Sequence, residues 1–349
     1  MSGSFRCRRS VEFLEVFEGG DIHLCCPGWV PRPLGNIFRD GLGDLWKGAE
    51  ARKVRAAISR GEFSQCLECP YLPAPFGPVE RADDSKPLEC LDRIGRLTVA
   101  YDHLCNLRCP SCRRDVFRVS ADSERKVRAV SRRLIDSGDL GLVDHLCLMG
   151  SGDPFASHLC RELMLDIPWQ QYPILQVRLY SNGLLFDESH WRSLGVVAER
   201  TDEVIVSVDA ATPETYSKNR GGDWDRLLAN LSFIGGLRSS GALRTMECHF
   251  VVQSNNFREM GSFVDLCEGF GVDRIYFGKL RNWLAFTIGE HTSRTVHRPG
   301  HPEHAEFLGI LDDERLRRSN VFMSNFGQLS SSGGWRVNDR LEAIWKPLA

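Results

Sequence analysis

Between residues 91 and 290, short apolar runs alternate with longer amphipathic ones, and this alternation limits the fold more than any other feature of the chain. Strand-like segments are Arg96–Tyr101, Asp144–Met149, Leu175–Tyr180, Glu203–Val208, Thr245–Val252 and Arg274–Phe277. Helical patterns between them include Ser123–Ile135, Glu188–Leu194, Trp224–Leu237 and Phe257–Phe270. Repeated strand–helix order predicts parallel βαβ units, whose right-handed crossovers bring the strand C-termini to one rim. About six such units fit, fewer than the eight of a complete barrel. The expected fold class is α/β, a partial (β/α)6 barrel.

Two flanking regions differ in composition. Residues 1–90 carry six cysteines and many turn formers, and their proline-rich stretch from Pro70 to Lys86 reads as a linker. Residues 291–349 are polar, with a His/Pro-rich start that suits a surface loop and an extension able to cover an active site. The chain has 349 residues, 42% of them hydrophobic, enough for a sizeable core beside a smaller N-terminal domain. A net charge of -2 gives no general attraction to nucleic acid or anionic membrane. No apolar run approaches the ~18 residues of a spanning helix, and the arginine-rich start lacks the apolar run of a secretion signal. A cytoplasmic location is the expectation. There the 13 cysteines, an odd number, stay reduced, which favours metal or cluster ligation over disulfides.

The densest chemistry is Cys105-Asn-Leu-Arg-Cys109-Pro-Ser-Cys112, directly after the first strand of the alternating region. One loop can bring these three thiolates onto a single cluster. A [4Fe–4S] cube ordinarily takes four cysteines, so three leave one iron open to a substrate. Structural zinc would call instead for a closed four-ligand shell.

The trio resembles the signature of the radical S-adenosylmethionine superfamily, and the resemblance extends over roughly residues 91–290. It implies a partial (β/α)6 barrel in which the amine and carboxylate of S-adenosylmethionine chelate the open iron. Electron transfer from the reduced cluster then yields a 5′-deoxyadenosyl radical that abstracts hydrogen from an unactivated C–H. An external electron donor such as flavodoxin or ferredoxin is implied as a partner. Ser111 stands where many members carry an aromatic residue.

Downstream motifs are similar to that family's cosubstrate contacts. Gly150-Ser-Gly152-Asp153-Pro154 resembles its amine-binding Gly-Gly-Glu-Pro element, with Asp153 in the place of the glutamate. Ser181-Asn182-Gly183 closes the third strand, and a tight turn explains Asn-Gly equally well. Period-two alternation puts Ser207 and Asp209 on one face of the fourth strand. The resemblance places these two near the ribose and carboxylate, Arg220 on the carboxylate, and Gln253, Asn255 and Asn256 near the methionine moiety.

Cys7, Cys25, Cys26, Cys66 and Cys69 form a second set, with Cys7 and Cys25 bracketing a hairpin of Val11–Phe17 and Ile22–Leu24 around Gly19-Gly20. The segment resembles the auxiliary-cluster modules called SPASM or twitch domains and implies an auxiliary [4Fe–4S] cluster, with zinc as the alternative. Cys25 and Cys26 cannot easily serve one site together, and Cys90 can replace either.

A thiol S–H is weaker than a typical sugar C–H, so a cysteine can return hydrogen to a carbon radical. Cys248 and Cys147, both on strands, are the candidates, with packing as their ordinary explanation. The chain on this reading resembles radical epimerases of sugar-containing antibiotics, acting on a small, carbohydrate-type molecule. Peptide maturation or alcohol oxidation is the second enzyme reading, and a non-catalytic iron–sulfur or zinc protein is the third.

Overall fold

The computed structural model describes residues 5–7, 9–64, 66, 69, 72, 91–115, 119–148, 152–329, 331 and 343–345. Apart from Leu72, the expected linker at Pro70–Lys86 lies outside the described residues, as do Cys90 and Gly150. The chain divides into two compact units, one of Met1–Leu104, Val119–Arg178 and Asp339–Ala349, the other of Cys105–Arg118 and Leu179–Asn338.

In the first unit, β1 (Phe5–Cys7) pairs antiparallel with the C-terminal strand Ala343–Trp345. β2 (Phe13–Val16) and β3 (Asp21–His23) form the expected antiparallel hairpin, and β4 (Gly35–Asn36) pairs antiparallel with β3. Gly19 and Gly20 turn the hairpin with φ of 86° and 84°, a region costly for residues with a Cβ. On its other side β2 runs parallel to β5 (Ile94–Val99), Leu14 opposite Leu97, and β5 runs parallel to β6 (Val143–Leu148).

The crossover from β5 to β6 is the helix Ala121–Asp136, capped where the Ser120 hydroxyl accepts from the Ser123 N–H. Its Arg128 makes a two-pronged contact with Glu162 of the following helix, His158–Asp166, at 2.8 and 2.9 Å. Two helices absent from the sequence reading, Leu42–Lys47 and Ala49–Ser59, complete the N-terminal region. Trp46 is buried there, with the Arg55 guanidinium 4.1 Å above its ring.

The division falls within β7 (Gln176–Ser181). In the second unit β8 (Thr201–Ser207), β9 (Thr245–Val252), β10 (Arg274–Lys279) and β11 (Val321–Met323) pair parallel in sequence order. Helices Trp224–Ser239 and Met260–Gly269 separate β8, β9 and β10. From β5 to β10 there are six strands divided by helices, the number read from the sequence. β11 is a further parallel strand, lying in a region the sequence marked only as polar. The fold is α/β with a mostly parallel sheet. No helix among the described residues is long and apolar enough to cross a membrane.

Candidate active site

All three cysteines of the trio belong to the second unit. A turn folds the loop on itself, the Cys112 and Arg113 N–H groups both donating to the Cys109 carbonyl at 2.9 and 3.1 Å. The Leu107 N–H points at Cys105 Sγ at 3.4 Å. Asn182, just beyond β7, donates from Nδ2 to the Asn106 side-chain oxygen at 2.8 Å and reaches Cys105 Sγ at 3.7 Å. Arg220 Nη1 lies 3.5 Å from Cys109 Sγ, and Arg113 Nη2 lies 3.5 Å from Cys112 Sγ. Each sulfur therefore faces an N–H donor.

Asp209 anchors the arginine. Its carboxylate pairs with Arg220 Nε at 2.9 Å and accepts the Val251 N–H at 2.6 Å. Burial alone would lower the Arg220 pKa, but Asp209 and then the Cys109 sulfur hold it above the ordinary arginine value. Asp209 has φ of 63°, an uncommon conformation for a non-glycine residue. Two amides fix it there, Asn219 and Asn256 both donating to its carbonyl at 2.9 and 3.0 Å. Asn255 in turn donates to the Asn219 side chain at 2.7 Å. Gln253 is buried and accepts from Arg294 at 3.5 Å. The Ser181 hydroxyl accepts the Gly183 N–H at 3.0 Å and so serves the turn.

In the first unit, a Cβ at Gly152 would stand 2.4 Å from the Leu104 carbonyl oxygen and 3.0 Å from that of Asp102. Only glycine allows this approach, which the Asp153 N–H locks by donating to the Leu104 carbonyl at 2.8 Å. Asp153 is buried, its carboxylate accepting the Phe155 N–H at 3.0 Å.

Cys7, Cys25, Cys66 and Cys69 line one cavity in the same unit, among the apolar side chains of Leu24, Trp29, Val54 and Phe63. Cys26 is not among its walls. Burial, with the neighbouring thiols, pushes Cys7 and Cys66 up to about 12. Four sulfurs in an apolar pocket cannot all ionise without a compensating cation, so the donor set fits a cluster. Among the described residues no three His, Cys, Asp or Glu side chains gather tightly enough for a single ion. A cube, with one thiolate on each iron, makes no such demand.

The proposed hydrogen-donor thiols lie elsewhere. Cys248 is fully buried and packs against Cys267 of the helix Met260–Gly269. Its neighbours Glu247 and His249 occupy the opposite face of β9, so alternation turns Cys248 toward the helix layer. Cys147 is buried opposite Thr98 of β5.

A group that sequence reading missed occupies that opposite face. The Tyr180 hydroxyl meets His249 Nδ1, and His249 Nε2 lies 2.5 Å from Glu247 Oε1. Glu247 also faces Arg274 at 3.8 Å. Ser207, His249 and Tyr276 stand in register across three strands. The period-two pattern of Thr245–Val252 puts Glu247 and His249 on one face, but only strand register reveals Tyr180.

Residues 7–70 match the family model described as SPASM, an iron-sulfur cluster-binding domain. The chain is 25% identical over 202 residues to a probable GTP 3′,8-cyclase of Saccharolobus islandicus (strain Y.N.15.51 / Yellowstone #2), covering 54% of this chain and 59% of that protein. The family match places an iron-sulfur cluster-binding SPASM segment at the N-terminal end, ahead of the alternating strands and helices. The SPASM match agrees with the four sulfurs of Cys7, Cys25, Cys66 and Cys69 that line one cavity. The chain spans under two thirds of that curated relative's length.

Among solved structures, the chain is similar to SuiB of Streptococcus suis bound to S-adenosylmethionine, with 14% identity, 67% of this chain and 51% of that one covered, and a TM-score of 0.44. It is also similar to anSMEcpe with bound AdoMet, with 18% identity, coverage of 65% and 62%, and a TM-score of 0.44.

Proposed function

We propose that Cys105, Cys109 and Cys112 hold a [4Fe–4S] cluster with one open iron, and that Cys7, Cys25, Cys66 and Cys69 hold an auxiliary one. When bound, the open cluster and S-adenosylmethionine supply a 5′-deoxyadenosyl radical, an abstractor of unactivated hydrogen. The observation carrying this reading is the line Cys109–Arg220–Asp209, which ties a loop sulfur to a fixed cation and a buried carboxylate.

Each residue has a definable task. Arg220 offers N–H groups beside Cys109, suited to the carboxylate of an amino acid group. Asn182 braces the loop at Cys105 and Asn106. Asp209 holds Arg220, while Asn219, Asn255 and Asn256 hold Asp209. Asp153 and Gly152 hold the backbone at Leu104, and Ser207 faces the same side as His249.

The reaction we favour is epimerisation of a carbon centre in a small, sugar-containing molecule. The curated relative is named for a reaction of GTP, itself such a molecule, which supports this choice over a peptide. Electrons come from a flavodoxin- or ferredoxin-type donor.

The test is anaerobic reconstitution with iron and sulfide, reduction by dithionite, and chromatography for 5′-deoxyadenosine after adding S-adenosylmethionine. The wild type produces it, and the Cys105/Cys109/Cys112 triple alanine variant produces none. A wild type loaded with iron but unable to form 5′-deoxyadenosine would leave the non-catalytic reading in its place. A product oxidised by two electrons would assign the chain to alcohol oxidation or peptide modification instead.

A further inference from the structure

Radical epimerisation needs a second hydrogen source besides the abstracting radical, and the buried setting of Cys248 turns attention to the opposite face of β9. There a phenol, an imidazole and a carboxylate form one hydrogen-bonded line: Tyr180, His249 and Glu247. The Tyr180 and His249 rings meet edge-on, 5.0 Å apart and 86° inclined. Tyr276 closes the other side of His249, its ring 4.9 Å away.

The line has a direction. A carboxylate beside a guanidinium is an acceptor, so His249 Nε2 carries the hydrogen toward Glu247 and Nδ1 is left to accept from the phenol. Tyr180 therefore keeps its O–H, and burial reinforces this by pushing the phenol pKa well above its ordinary value. Tyr180 remains only half-buried, unlike Cys248. It also stands two residues before Asn182, the residue that reaches Cys105 Sγ, and so near the loop end of β7.

We propose that Tyr180 is the hydrogen-atom donor to the substrate radical, and that His249 and Glu247 position it and return its proton. The inference rests on the radical reading above. A phenolic O–H, like a thiol S–H, is weaker than the C–H of a saturated carbinol. The phenolic hydrogen turns about its C–O bond and passes to the carbon radical. The C–H bond forms as the O–H bond breaks, leaving a neutral tyrosyl radical. One electron from a reduced iron–sulfur centre and one proton from His249 Nδ1 restore the phenol. That proton enters from solvent, and Glu247 balances the imidazolium charge while it is held.

The test needs no identified substrate, because without one the 5′-deoxyadenosyl radical takes the place of the substrate radical and accepts the Tyr180 hydrogen. Reconstituted protein is reduced with dithionite and given S-adenosylmethionine alone in D2O, where the O–H and S–H groups become O–D and S–D. The readout is deuterium per 5′-deoxyadenosine formed, by mass spectrometry, together with freeze-quenched EPR. The wild type should transfer deuterium and show a tyrosyl signal that narrows when ring-deuterated tyrosine is incorporated. Tyr180→Phe should lower the deuterium ratio at least about fivefold and remove the signal. Cys248→Ala should keep the wild-type ratio. His249→Asn should keep deuterium transfer while shifting the tyrosyl g-tensor and slowing decay of the signal, neither of which a purely structural role would produce. An unchanged ratio in Tyr180→Phe, a wild type without tyrosyl signal, or a fall in Cys248→Ala alone overturns the assignment. A wild type that forms no 5′-deoxyadenosine refutes the radical reading instead.

Discussion

Of the adjacent pair Cys25 and Cys26, only Cys25 reaches the cavity shared with Cys7, Cys66 and Cys69. Cys26 lies apart, its thiol pushed up to about 12 by burial and by the carboxylate of Glu15. Iron analysis should register the difference. A protein with two clusters holds about eight irons, and Cys25→Ser should drop to about four while Cys26→Ser keeps the full load. Equal losses in both variants would reject this ligand set.

Arg220 and Asp209 should be separable by chemistry. Asp209→Asn tolerates the left-handed backbone but breaks a buried ion pair, which costs about 3–5 kcal/mol in urea unfolding. Arg220→Lys preserves charge but loses the planar fork, and should weaken S-adenosylmethionine binding about tenfold by calorimetry. Unchanged affinity would remove Arg220 from the binding site.

Cys248→Ala should behave as a core substitution. The side chain is fully buried against Cys267, and its truncation should cost about 1 kcal/mol in denaturant titration. Its near-UV circular dichroism should stay native.

Acid should find a weak point at His297, whose ring is stacked 6.1 Å from that of Phe326 and whose pKa burial lowers to about 3. The unfolded chain, with an ordinary histidine value of 6.5, binds a proton first. Stability is therefore complete above pH 6.5 and is lost as pH falls toward 3. At pH 5 the loss is about 2 kcal/mol, and His297→Gln should abolish that part of the pH dependence in unfolding titrations. A variant with the same pH slope as wild type would show that another group governs acid unfolding.

Much of this architecture was open to a reader of the sequence, because parallel strands buried on both faces are written as apolar runs. Thr245–Val252 was bounded correctly to the residue, and the other five strands of the alternating region to within a few residues. The helices Leu42–Lys47 and Ala49–Ser59 were hidden in a segment dominated by cysteines and turn formers, and β11 is only three residues long. The direction of Cys248 needed the strand's facing partners. Tyr180 and His249 are far apart in the chain, and no local pattern announces a pair that depends on the register of neighbouring strands.

Gly152 carries a consequence for how such a chain can vary. The path of the chain at Asp102 and Leu104 is decided by a bare backbone resting on their carbonyls. A change confined to position 152 would thus displace backbone at Asp102 and Leu104, so Gly152 behaves as a gauge block for the end of that segment. Neighbouring side chains can be exchanged around that reference, while the reference itself admits no side chain at all.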